Sequence, residues 1–268
     1  MIINIVVRGG HVKVRWWMAD QVKGIQSVEI AGGILDAIVD ASQPLRLKEV
    51  AQLTGLSASK VRMYLVSLCR VGLIAQDPAD GRYRPGRKAL RLGMLALGQD
   101  QLISAARRAM TDIGERTGDP VLLSIWDRDR SMIIASYETS GPLPMTFRVG
   151  TMTPLDTATG RVFLAYLPPA VADQAMHVHI GSDRRAAVES VLPQVRRKGF
   201  AVASTVRLNA DAAISGYGAI AVPVFGREGR LELVLTALHP STLDVVGRKA
   251  ETALLVEAAR DLSRQAGF

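Results

Sequence analysis

The chain has 268 residues, of which 48% are hydrophobic and 22% are charged, the balance of an ordinary globular protein with room for two cores. No uninterrupted run of about 18 apolar residues occurs, so neither a transmembrane helix nor a membrane partner is expected. The net charge is +8, and residues 1–98 hold 14 Lys or Arg against 7 Asp or Glu, whereas residues 99–268 hold 19 against 18. A basic unit joined to a nearly neutral one indicates that the first unit meets a polyanion.

The N-terminal segment does not have the pattern of a signal peptide. Its apolar stretch is short, its basic residues come after that stretch, and no cleavage site follows. We expect residues 1–25 to form a poorly ordered extension, with Met18 as an alternative start. The single cysteine, Cys69, excludes an internal disulfide and favours the cytoplasm as the compartment.

Three helices are predicted between residues 27 and 70. The stretch SVEIAGGILDAIVD carries apolar residues at helical spacing, and LKEVAQLTGL is a shorter helix that Gly55 can end. The third helix lies in SASKVRMYLVSLCR, where the hydroxyl of Ser57 can cap the first turn by accepting an amide hydrogen.

A short basic hairpin follows the third helix. Asp80-Gly81 marks a tight turn, and the flanking strands are predicted at Leu73–Ala75 and Arg82–Arg84. Three helices and a hairpin in this order predict a winged helix-turn-helix DNA-binding domain over residues 26–86. An amphipathic linker helix is predicted over residues 87–98.

The third helix is both apolar and basic, which allows a core helix, a membrane helix or a DNA reader. Its apolar stripe of Val61, Leu65, Leu68 and Cys69 has the width of an ordinary core face. For one basic helix, charges that are merely solvated are the usual explanation. The added hairpin and charge asymmetry favour DNA binding. The predicted contacts are Ser57, Ser59, Lys60, Arg62 and Met63 in the helix and Arg82, Tyr83 and Arg84 in the hairpin.

Residues 99–268 mix helices and strands without strict βαβ alternation. Strands are predicted in VLLSIWD, SMIIASYE, FAVASTV, GYGAIAVPVF and LELVLTALH, and helices at 102–117, in DTATGRVFLAYLP, in RRAAVESVLPQVRRKG and near the C-terminus. This order predicts an α+β fold with an antiparallel sheet.

Six segments in sequence resemble the IclR family of bacterial transcription regulators, over roughly residue 27 to the C-terminus. They are SVEIAGGILDAIV, PLRLKEVAQLTGLSASKVRMYLVSLCRVGLI, DGRYRPGRKALRLG, VGTMTPLDTATGRVFLAYLP, VRRKGFAV and GAIAVPVFGREGRLELVLTAL. Each segment is weakly specific, and their order and spacing carry the resemblance.

The resemblance implies a GAF-like effector-binding and oligomerisation domain over residues 99–268. Such proteins are homodimers or dimers of dimers that repress or activate operons. Their partners are double-stranded operator DNA and a small-molecule effector, often an organic acid or an aromatic compound. Carried over residue by residue, the effector site would comprise Ala158, Thr159, Gly160, Ala219, Thr236 and Leu238. Backbone amides at the helix start after Gly160 suit an acid, because helix N-termini bind anions.

No catalytic constellation is recognisable, and no cofactor or metal ion is expected. His177 and His179 lack further ligands for a metal, and Asp127 and Asp129 alternate with arginines that can pair with them. Glycine-rich phosphate loops and the GxSxG elbow are missing. Two alternatives stay open at this point: a metabolic enzyme with a vestigial helix-turn-helix, and a DNA binder that needs no ligand.

Overall fold

The computed structural model describes residues 3–8, 11–16, 24–41, 43–139, 147–207, 213–214, 216–240 and 248–268. The chain divides into two compact units, Met1–Asp100 and Gln101–Phe268. Within the described ranges, no helix is both long enough and apolar enough to cross a membrane.

The first unit begins with two short paired strands. β1 (Ile3–Arg8) and β2 (His11–Trp16) form an antiparallel hairpin. The sequence contains signals for strands here, since valine alternates with basic residues in β2 and a Gly-Gly dipeptide stands between the two segments in the sequence. The expectation that residues 1–25 form a poorly ordered extension stays a prediction.

The rest of the first unit is a winged helix-turn-helix, as predicted. Its elements are α1 (Gln26–Asp40), α2 (Leu47–Thr54), α3 (Ala58–Arg70), β3 (Ile74–Gln76), β4 (Tyr83–Pro85) and α4 (Arg87–Gln99). Each hairpin strand starts one residue later than predicted. The three helices and the hairpin share one core, formed by Ile34, Ile38, Leu45, Val50, Val61, Leu65, Leu68, Ile74 and Tyr83.

The second unit is α+β, in agreement with the prediction. Its helices are α5 (Gln101–Thr117), α6 (Ala158–Tyr166), α7 (Pro169–His179), α8 (Ser182–Lys198) and α9 (Lys249–Gln265). Its strands are β5 (Val121–Asp127), β6 (Arg130–Tyr137), β7 (Met152–Thr153), β8 (Ala201–Ala203), β9 (Val206–Arg207), β10 (Ala213–Ile214), β11 (Tyr217–Phe225) and β12 (Leu231–Pro240).

Six of these strands form one antiparallel sheet in the order β7-β6-β5-β12-β11-β8. Successive side chains of a strand point to opposite faces. Ala219 on β11 and Leu238 on β12 therefore join a core cluster with α6, α7 and α8. The helices α5 and α9 also pack on the sheet, α5 against β5 and β6 and α9 against β11 and β12. Short β9 and β10 pair separately.

Two ionic contacts anchor connections around this sheet. The buried guanidinium of Arg248 donates to Asp119, 2.5 Å away, and lies 2.8 Å from Glu251. His179 at the end of α7 lies 2.6 Å from Asp129 in the β5–β6 turn. Burial alone would raise the pKa of Asp129. The hydrogen bond and charge of His179, together with Arg130, outweigh that effect and hold the pKa below its usual value.

Candidate functional site

The turn between α2 and α3 fixes where α3 begins relative to α2. Gly55 ends α2 in the left-handed region, with φ of 66°, which glycine adopts without steric cost. Two residues later, the Ser57 hydroxyl accepts a hydrogen bond from the Lys60 amide at 3.4 Å. This is the cap predicted from the sequence, and it fixes the start of α3 close after α2.

The predicted DNA contacts of α3 lie on one solvent-facing edge, which we call the reading edge. It comprises Ser57, Ser59, Lys60, Arg62 and Met63. Lys60 is half-buried, the other four are exposed, and Met63 is 66% exposed. The opposite face of the helix is packed in the core through Val61, Leu65 and Leu68. The reading edge is therefore free of the protein's own core and available to a partner.

In the hairpin, Tyr83 and Arg82 make contacts within the protein, whereas Arg84 does not enter the core. The side chain of Tyr83 is only 7% exposed and belongs to the core. The amide and the carbonyl of Tyr83 both form hydrogen bonds with the backbone of Leu45. Tyr83 is therefore removed from the predicted DNA contacts. Arg82 donates to the Pro44 carbonyl at 2.9 Å and lies 3.4 Å from Asp80. Arg84 is exposed, and it is the hairpin residue best placed to reach DNA.

In the second unit, five of the six predicted effector residues line one cavity of about 30 Å³. They are Ala158, Thr159, Ala219, Thr236 and Leu238. The N-terminus of α6 supplies two of them, and the adjacent strands β11 and β12 supply the other three. The cavity lies where the start of α6 meets the sheet.

Hydroxyl groups dominate the polar lining of this cavity. Thr159 and Thr236 are 5% and 1% exposed, and their Oγ1 atoms are 2.8 Å apart across the helix–sheet contact. The amides of Ala158 and Thr159 open α6 and meet no acceptor in the part of the chain that the structure describes. Unpaired amides at a helix start attract anions. The cavity therefore offers hydroxyl donors and a positive helix end.

Gly160 does not line the cavity, and its assignment to the effector site stays a prediction. A Cβ atom on Gly160 would lie 2.5 Å from the Cα and carbonyl oxygen of Leu155, so glycine lets α6 approach the preceding loop closely. The Gly160 amide is also occupied, since it donates to the Thr157 hydroxyl at 3.1 Å. Gly160 therefore permits close packing of α6 on the preceding loop.

Six further residues line the cavity and were not predicted: Leu122, Phe147, Thr153, Thr157, Thr205 and Val206. Thr157 caps α6 and could have been found from the N-cap rule applied to DTATG. The others come from segments distant in sequence, and no local pattern marks them.

The histidines and aspartates considered as metal ligands do not form a metal site in the described residues. His179 and Asp129 bind each other, and His177 lies with His179 on α7. Among the described residues, no group of three or more His, Cys, Asp or Glu could hold a metal ion.

Two family models match most of the chain. Residues 27–78 match the IclR helix-turn-helix domain, and residues 94–265 match the bacterial transcriptional regulator IclR C-terminal domain.

Whole-length relatives agree with these matches. The HTH-type transcriptional regulator XynR of Escherichia coli K12 is 31% identical over 256 residues, covering 91% of this chain and 98% of XynR. KdgR of the same strain is 28% identical over 260 residues, covering 92% and 95%. The crystal structure of an IclR transcriptional regulator from Alicyclobacillus acidocaldarius has a TM-score of 0.75 at 25% identity and covers 91% and 100%. These likenesses are to regulators and give no support to the enzyme alternative.

Proposed function

Because the chain belongs to the IclR family of bacterial transcriptional regulators, we propose that it reads operator DNA with the reading edge of α3 and tunes that binding through an acid held at the start of α6. The chain is a DNA-binding transcriptional regulator and not an enzyme.

The exposed reading edge is the observation that carries the DNA-binding step. Arg62 supplies a long donor for base edges or phosphates, and Ser57 and Ser59 are short enough to let the helix start enter a major groove. Arg84 in the hairpin is placed to contact phosphates beside the groove. In this proposal residues 26–86 bind DNA and residues 99–268 bind the effector.

The exposed apolar side chains of α4 support a homo-oligomer. None of its residues is buried, and Leu90, Leu92, Met94 and Leu95 are each at least 49% exposed. Large apolar side chains grouped on one helix mark an interaction site. We assign a second copy of this chain as the partner, so that the linker at 87–98 sets the spacing of two reading edges in a homodimer or a dimer of dimers. We infer a cytoplasmic location, because bacterial operator DNA lies in the cytoplasm.

The effector we propose is a small organic acid. The helix-start amides and the Thr159–Thr236 pair supply donors for a carboxylate. A volume of about 30 Å³ is far below the roughly 150 Å³ of a cavity that accepts benzene, so an aromatic acid needs movement of the walls. A ligand can change operator affinity only by favouring one arrangement of the protein over another.

The DNA-binding proposal is tested by selecting duplexes from a random pool with the purified full chain, followed by footprinting. We expect a two-fold symmetric site whose half-sites lie about one helical turn, or a multiple of it, apart. Random recovery without an enriched sequence would contradict the proposal. A single asymmetric half-site would contradict the oligomer and leave the reading edge in place.

The effector proposal is tested by thermal-shift screening of two- to six-carbon carboxylic acids. A ligand that binds only the folded protein raises the melting temperature. We expect a hit with the wild-type chain and a smaller shift with Thr236→Val. If no small acid shifts the wild-type protein, the ligand-independent DNA binder is favoured.

A further inference from the structure

A second and larger cavity, of about 430 Å³, lies in the C-terminal unit beside the edge of β11. The short strand β8 pairs with β11 only at Ala219–Ala221, so Val222–Phe225 has no strand on that side in the described ranges. Proline at position 223 suits such an edge because it lacks an amide hydrogen. The amide of Phe225 donates to the Ser263 hydroxyl at 2.9 Å, which ties the strand to α9. The result is a cleft between strand and helix.

Aromatic rings form one wall of this cleft. The rings of Tyr166 and Phe225 meet edge to face with centroids 5.1 Å apart, and Phe225 and Phe268 are 5.0 Å apart. Val256 and Ala259 of α9 line the cleft as well. Burial raises the pKa of the Tyr166 phenol, so this ring stays neutral. The wall suits an aryl or alkyl body.

Positive charge surrounds the same cleft. Lys198, Arg260 and Arg264 line it, and none of the described residues that line it is acidic. Arg264 pairs with Asp261 at 2.5 Å, whereas Lys198 and Arg260 form no ion pair within the described part of the chain. Two cations without a carboxylate partner beside an aromatic wall make a site with both an apolar and an anionic preference.

We propose that this cleft is a second ligand site that takes an amphipathic monocarboxylate, with its apolar body on the aromatic wall and its carboxylate facing Lys198 and Arg260. Its volume lies in the range of about 300–1,000 Å³ typical of small-molecule sites. The site is separate from the α6 effector cavity, although α6 borders both. Thr159 lines the first cavity and Tyr166 the second, about 10 Å further along the helix axis.

The charge preference is tested by calorimetric titration of the full chain with three probes of equal length: 4-phenylbutyrate, 4-phenyl-1-butanol and 4-phenylbutylamine. We expect the carboxylate to bind most tightly and the amine most weakly. Arg260→Glu should weaken 4-phenylbutyrate binding by about fivefold or more, because an attraction becomes a repulsion. Arg197→Glu makes the same charge change at an exposed residue outside the cleft and should leave the affinity unchanged.

The location is tested by Val256→Phe, which fills the cleft, and by Thr236→Val, which alters the other cavity. Binding should be lost with Val256→Phe and kept with Thr236→Val, with each variant's melting curve recorded first. Equal affinity for the carboxylate and the amine in the wild-type chain would overturn the proposal. So would equal effects of Arg260→Glu and Arg197→Glu, and these two tests stand even if Val256→Phe fails to fold.

Discussion

Replacing Thr236 with valine is expected to destabilise the C-terminal unit by leaving one buried hydroxyl without a partner. The Oγ1 atoms of Thr159 and Thr236 are 2.8 Å apart, and both side chains are at least 95% buried, with exposures of 5% and 1%. Valine keeps the shape of threonine but cannot form the hydrogen bond. The Thr159 hydroxyl then loses its partner without regaining bulk water.

The expected cost is about 1–3 kcal/mol, the penalty for an unsatisfied buried hydroxyl. The reverse change, Thr159→Val, should cost a similar amount. The double variant should cost less than the sum of the two, because removing both hydroxyls leaves no unsatisfied group. The two sites therefore couple.

The assay is urea unfolding of wild type, both single variants and the double variant, with Thr111→Val as the control. The Thr111 hydroxyl is exposed and bonds its own helix, so its removal should change the free energy of unfolding by at most about 0.5 kcal/mol. Additive single costs, or single costs no larger than the control, would refute the contact across the helix–sheet boundary.

Three further predictions concern stability. Asp119→Ala removes a buried partner of Arg248 and should cost about 3 kcal/mol in urea unfolding. Gly160→Ala should destabilise, because its Cβ would lie 2.5 Å from backbone atoms, whereas Gly32→Ala, with no neighbour within 4 Å, should stabilise α1 by up to about 1 kcal/mol. The lowered pKa of Asp129 stabilises the folded protein at pH values above the pKa of an unfolded Asp, about 3.9. The difference in unfolding free energy between wild type and Asp129→Asn should therefore be full at pH 5. It should shrink as the pH falls through the folded pKa.

Each of these predictions has a contradicting result. An Asp119→Ala variant as stable as wild type would show that the Asp119–Arg248 contact does not stabilise the unit and that Glu251 alone compensates the Arg248 charge. Equal shifts for the two glycine variants would mean that the loop before α6 yields to a methyl group. A difference between wild type and Asp129→Asn that stays constant from pH 5 to pH 3 would show that the carboxyl pKa is not lowered.

Helical periodicity predicted the orientation of α3 because its core stripe and its polar edge occupy opposite faces. The placement of Val61 inside and Arg62 outside follows from spacing alone. The same reasoning, applied with period two to Arg82-Tyr83-Arg84, puts the tyrosine on the face opposite the two arginines. The prediction grouped Tyr83 with the two arginines as DNA contacts because all three lie in a basic segment. The alternation of side chains along the strand separates the tyrosine from them.

The cavity could be predicted only in part. The family resemblance pointed to Ala158, Thr159 and Thr236, which line the cavity. The burial of Gly160 follows from the close approach of its backbone to Leu155, which no local sequence pattern predicts. The wall contributed by Thr205 depends on long-range packing. The ionic anchor from Arg248 to Asp119 spans 129 residues and has no sequence signal either.

The most direct test of DNA reading by α3 is the affinity of Arg62→Ala for the selected operator, measured by fluorescence anisotropy beside wild type and Arg107→Ala. Arg107 is an exposed arginine of the C-terminal unit, so its replacement makes the same charge change away from the reading edge. Losing one base-reading arginine costs about 1–3 kcal/mol, so Arg62→Ala should bind about 5- to 150-fold more weakly while its unfolding midpoint and the affinity of Arg107→Ala stay at the wild-type value. Equal operator affinity for all three proteins would contradict the assignment of α3 as the DNA-reading helix.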